Sequence, residues 1–195
     1  MDLTRRGFTK LCSTGLIVFA SGLTVFITGC GVFSDIQTWV PVGLAALQGI
    51  LTALGPLVSP GAAQIVSLIK IGFADLVATV NAYTSDTNPA DKATLVAKIR
   101  TILNDIVKGF QDLLVALNLA NNPIEVVVVD LANVILSALA GFLSQLPVPA
   151  GGPVGVSLKK GGVPVGAKVY KHTSDFKRDF NAACVKDGHP ELQLH

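Results

Sequence analysis

Charge is scarce in this sequence. Only 14% of its 195 residues are Asp, Glu, Lys or Arg, against roughly 25% in an ordinary soluble domain. Aromatic residues are also few, at 6% with a single tryptophan. That scarcity argues against a β-sandwich, which draws on Tyr, Trp and Thr with regular turn signals. Histidine is missing between residues 30 and 171. This excludes from that stretch the Glu-x-x-His di-iron pattern and histidine ligation of haem. The three cysteines, Cys12, Cys30 and Cys184, are too few for a disulfide framework.

A catalytic set is missing as well. Cys184 with His172, His189 and His195 fits no zinc spacing, and a terminal tail rarely shapes a pocket around a nucleophilic thiol. Glu125 and Asp130, five apart, do not share a helix face. Asp105 and Asp112 do, but on the polar side, so paired-carboxylate hydrolysis is unsupported. The run Gly151-Gly152-Pro153-Val154-Gly155 lacks the Lys-Ser/Thr of a phosphate loop. Neither enzymatic activity nor a cofactor or metal is expected.

What the chain does have is a strongly patterned start. Residues 1–10, MDLTRRGFTK, are positive; residues 11–29 are uncharged and apolar; Cys30 follows. Charge, apolar stretch and small-residue site in that order form a secretory signal. The segment Thr4-Arg5-Arg6-Gly7-Phe8-Thr9-Lys10 resembles the twin-arginine export motif through Thr4, Arg5, Arg6, Phe8 and Lys10, departing at Thr9 where Leu is usual. Ile27-Thr28-Gly29-Cys30 resembles a bacterial lipobox. These resemblances imply cleavage before Cys30 and acylation of that cysteine, for example with palmitate. Each buried methylene contributes ~0.8 kcal/mol, so two chains anchor stably where one does so marginally. The lack of Asp after the cysteine, where Gly31 stands, favours the periplasmic side of the outer membrane or the cell surface. The alternative is an uncleaved helix, since residues 11–29 are just long enough to span a bilayer.

The leader also accounts for the charge balance. Of 15 basic and 13 acidic residues, Arg5, Arg6, Lys10 and Asp2 leave with it, so twelve of each remain. A neutral mature chain has no basic field for nucleic acid. Cys184 would be its one free thiol.

Beyond the leader the pattern is helical. Ser59-Pro60, Asn88-Pro89 and Asn122-Pro123 each place a capping side chain before a proline at the first helical position. Apolar residues then recur at steps of three and four over about 36–57, 60–83, 89–118 and 123–146. The third run is the most amphipathic, with Asp91, Lys92, Lys98, Arg100, Asp105, Lys108 and Asp112 opposite its apolar face. The capped starts lie 29 and then 34 residues apart, which is no fixed period. Short links suit antiparallel neighbours. The expected fold is therefore all-α: a signal peptide over 1–29, a lipidated linker over 30–35, an antiparallel four-helix bundle over 36–146, and an irregular Gly/Pro-rich basic tail over 147–195. In the tail, Lys159-Lys160-Gly161-Gly162 suggests a hairpin turn between 154–158 and 167–170, and Ser174 a cap for a helix over 175–184.

No charge occurs from Ile36 to Ile69, or from Leu131 to Leu158. Helices one and four are thus apolar nearly all round, which is normal only for helices buried on every side or in lipid. They are expected to face a second subunit, a bilayer or an apolar ligand, with Gly43, Ala46, Gly49 and Ala53 allowing close approach. The functional expectation is a lipid-anchored structural or interaction protein packing against itself or an envelope partner. The alternative is a lipid-binding or membrane-inserting protein.

Overall fold

The computed structural model describes residues 30–55, 58–117, 124–146, 159–160, 163–164 and 166–195. These form an all-helical body with five α-helices: α1 (Cys30–Leu54), α2 (Pro60–Ser85), α3 (Pro89–Leu117), α4 (Glu125–Gln145) and α5 (Thr173–Lys186), followed by a 3-10 turn, Pro190–Leu192. The first four pack in a ring, α1 on α2 and α4, α3 on α2 and α4, and α5 lies across α4 and α1.

The helix starts follow from local chemistry. The Ser59 hydroxyl accepts from the Ala62 amide at 3.2 Å. The Asn88 side-chain oxygen accepts from the Ala90 amide at 3.0 Å. Each satisfies one of the orphan donors of a first turn. Gly55, at φ +46°, follows α1 in the left-handed conformation that favours glycine. Residues 126–129, four consecutive valines that taken alone could pass for a buried strand, are helical. The Asn122-Pro123 start lies outside the described residues.

Several expectations are corrected. Residues 30–35 are not a linker; they are helical and belong to α1. The tail is less irregular than its composition suggests. Its helix starts at Thr173, and His172 rather than Ser174 precedes it. The Lys159–Lys160 pair lies in a two-residue ladder, opposite Pro164 and Val163, and 166–170 is not a strand.

The tail also covers the apolar helices. Phe176, Phe180 and Cys184 are wholly buried, and Trp39 on α1 meets rings from three other helices: Phe73 at 6.0 Å, Phe142 at 5.4 Å and Phe176 at 5.4 Å. Residues 166–170 run over α4 at Gly141, where a Cβ would strike the Lys168 main chain. Along α4 only Val126, Ser144 and Gln145 are fully exposed. Most of α4 is therefore covered within the chain. On α1 the exposed strip is Ser34, Thr38, Pro41, Ala45, Gln48 and Thr52, small or uncharged polar residues. Gly43 makes room for the indole of Trp39 one turn earlier, not for another helix.

Arg100 departs from the polar face assigned to it. It is only 8% exposed, and its Nη1 donates to the carbonyls of Leu143 at 3.1 Å and Leu146 at 3.0 Å. A cation thus meets the unpaired carbonyls and negative dipole end of α4.

Candidate functional site

Cys30, the residue marked for acylation, is the first described residue of α1. The leader residues Arg5, Arg6, Phe8, Lys10, Ile27, Thr28 and Gly29 lie outside the described residues. Close to Cys30 in sequence, Phe33 is buried with its ring 3.9 Å from that of Tyr83 on α2, and Gln37 donates to Asn81 at 2.6 Å.

A second feature lies between α2 and α3. Their outer side carries an open groove of about 370 Å³, lined by six residues from each helix. The two sets match at a constant separation of 37 residues: Ile65 with Ile102, Leu68 with Asp105, Ile69 with Ile106, Ile71 with Lys108, Gly72 with Gly109, and Asp75 with Asp112. Behind them Phe73 pairs with Phe110 and Leu76 with Leu113. Both helices carry Ile-x3-Ile-x2-Gly-Phe-x-Asp-Leu. The packing is reciprocal. A Cβ on Gly72 would come 2.8 Å from Cγ1 of Ile106, and one on Gly109 would come 2.9 Å from Cγ1 of Ile69. The hairpin thus has a local pseudo-two-fold axis through the groove. Sequence reasoning compared only the capped starts, 29 and 34 residues apart, and missed this match; aligning the Gly-Phe-x-Asp-Leu segments finds it.

Two of the large apolar side chains that reach the surface lie side by side in the groove. Leu68 is 66% exposed and Ile71 54%. Around them stand Asp75, Asp105, Lys108 and Asp112. Among the described residues none of these four makes an ion pair.

The charged residues of the tail hold it in place. Asp179 accepts from Lys168 and from the Tyr170 hydroxyl, the latter at 3.0 Å. Partial burial opposes the charge on Asp179, but these hydrogen bonds and the charges of Lys168 and Arg178 outweigh it and hold the carboxyl below its ordinary value. Burial, then the hydrogen bond to Asp179, keeps the Tyr170 phenol above its ordinary range. Lys186 donates to Asp130 on α4 at 2.7 Å, which raises the pKa of the amine. Burial foremost, with Asp187 and Glu191 nearby, pushes the Cys184 thiol up to about 11, so it is not a poised nucleophile. His189 pairs with Glu191 at 2.7 Å. Among the described residues no three of His, Cys, Asp and Glu converge as metal ligands would.

Three helical stretches, Gly31–Leu54, Pro60–Ser85 and Glu125–Gln145, are long and apolar enough to cross a membrane, so the body is compatible with membrane association. No family model matches the chain, and neither a curated protein nor a solved structure matches it.

Proposed function

We propose that the chain is an exported, lipid-anchored protein of the cell envelope with a structural or interaction role rather than a catalytic one. In this reading the twin-arginine leader, through Arg5, Arg6, Phe8 and Lys10, directs export. Ile27, Thr28 and Gly29 lead to Cys30, which is acylated and held in a membrane on the periplasmic side or at the surface. Residues 36–146 form a four-helix bundle, with the tail folded back upon it. One observation carries the reading: a positive segment with two adjacent arginines, an uncharged apolar stretch and the Ile27-Thr28-Gly29-Cys30 tetrapeptide follow one another in that order. Intact mass of membrane-extracted protein tests it. The expected species starts at Cys30 and carries acyl groups, and Cys30→Ala abolishes both cleavage and acylation. An unmodified chain starting at Met1 would overturn the reading.

A membrane-inserting role is the second reading, favoured by the three helices of spanning length. Alkaline carbonate washing of membranes carrying Cys30→Ala with the leader deleted distinguishes the two. Release into the supernatant supports anchoring through the acyl chains alone; retention supports insertion.

A further inference from the structure

We infer that the α2–α3 groove is a self-association surface whose occupant is the same groove of a second copy. This rests on the interaction role proposed above and locates it on α2 and α3, where sequence reasoning looked to helices one and four.

Three observations point to a copy of this chain. The first is apolar area in one place. Leu68 and Ile71, one turn apart on α2, project from the groove more than half exposed, whereas the other exposed large apolar helix residues, Val115, Val126 and Val185, lie one each on α3, α4 and α5. An apolar centre with a polar rim is the usual anatomy of a recognition surface.

The second is charge of both signs on one small patch. Asp75, Asp105, Lys108 and Asp112 border the groove unpaired among the described residues. A patch of one sign repels its own copy. A patch with the single base Lys108 between Asp105 and Asp112 lets the Lys108 of each copy pair with an aspartate of the other. An isologous two-fold interface needs that self-complementarity, because residue i meets j while j meets i.

The third is symmetry. The groove is lined by two copies of one helical motif related by a local pseudo-two-fold. Two such hairpins laid face to face continue the arrangement that α2 and α3 already have within one chain. They form a four-helix layer in which Leu68 and Ile71 of both copies leave water.

Cysteine cross-linking of the full chain in membranes tests the inference. Leu68→Cys, Ile71→Cys and Lys108→Cys are made singly, with Gln48→Cys on the exposed strip of α1 as control, and membranes are treated with a mild thiol oxidant. The expected result is a disulfide-linked band at twice the monomer mass for at least one groove position. It should be absent from the parent and the control. Lys108→Asp should lose the Ile71→Cys dimer band, and adding Asp105→Lys should restore it. A merely structural role would not give that rescue. No groove dimer at any position would overturn the inference, as would an adduct of another mass. So would fluorescence quenching of groove-attached dyes by spin-labelled lipid, which would assign the groove to the bilayer. The mass of the same extract reads acylation separately. A missing dimer with acyl groups on Cys30 sinks only the interface, and a dimer without acyl groups sinks only the anchor.

Discussion

The main chain of Lys168 lies directly over Gly141, and its amide donates to the carbonyl of Ser137 at 3.0 Å. A β-carbon at 141 would meet backbone, which cannot swing aside as a flexible side chain can. Gly141→Ala is therefore expected to lift residues 166–170 off α4, at a cost of about 1–3 kcal/mol. Limited proteolysis should show faster cutting of the tail while α1–α4 persist. Unchanged cutting would refute the role given to Gly141.

Trp39 is the single tryptophan and reports on tail docking, because Phe176 closes over its ring at 5.4 Å. Phe176→Ala removes a wholly buried ring and should cost about 3–5 kcal/mol. Emission of Trp39 should shift to the red as water reaches the indole. An unshifted spectrum with normal stability would contradict the packing described.

Acid should loosen the same contact. Against the effect of partial burial, the hydrogen bonds from Lys168 and Tyr170 and the charges of Lys168 and Arg178 hold the Asp179 carboxyl below its ordinary value. A depressed carboxyl contributes stability that is present above the unfolded value and is lost as pH falls through the folded value. Thermal stability followed by Trp39 emission should therefore drop below about pH 4. In Asp179→Asn that part of the drop should be gone, with lower stability at neutral pH.

Arg100 holds two carbonyls at the end of α4. Hydrogen bonds from a charged donor are worth about 1.5–3 kcal/mol each. Arg100→Met keeps the buried stem and removes the donors. It should destabilise the body by about 2–3 kcal/mol in denaturant unfolding, with fraying at the C-terminal end of α4 in hydrogen exchange. Arg100→Lys should recover only part of this, since a single ammonium replaces the planar fork.

The reciprocal packing of α2 and α3 makes a matched prediction. Gly72→Ala and Gly109→Ala each push against Cγ1 of an isoleucine on the opposite helix. Each should cost about 1–3 kcal/mol, and the two costs should be similar. The double variant should cost less than the sum, since one shift of the helices relieves both clashes. Strongly unequal single costs would argue against the pseudo-two-fold.

Much of this body was legible in the sequence where one residue type has one job. Ser59 before Pro60 and Asn88 before Pro89 set two helix starts, and both caps make the expected bonds. Periodicity separated the helices because turns of polar and small residues divide them. The docking of α5 was not legible. Its buried face is only Phe176, Phe180 and Cys184, and nothing local says that Trp39 is their partner. Arg100 misled for a related reason. A charged residue near a polar face reads as solvated, and only the position of the α4 terminus gives it two acceptors. The groove was hidden differently: its lining is apolar on α2 apart from Asp75 but charged at Asp105, Lys108 and Asp112 on α3, so neither helix alone displays it.

The matched motifs of α2 and α3 also bear on how such a hairpin arises. A helix that packs antiparallel on a near-copy of itself needs to be invented only once. Duplication then supplies its partner, and a short link joins the two. Later divergence at Leu68 against Asp105, and at Ile71 against Lys108, leaves the mutual glycine contacts intact while giving the two halves different outer faces. Exchanging segments 65–76 and 102–113 should accordingly leave a folded hairpin with its outer chemistry transposed, and circular dichroism with Trp39 emission would reveal whether it does.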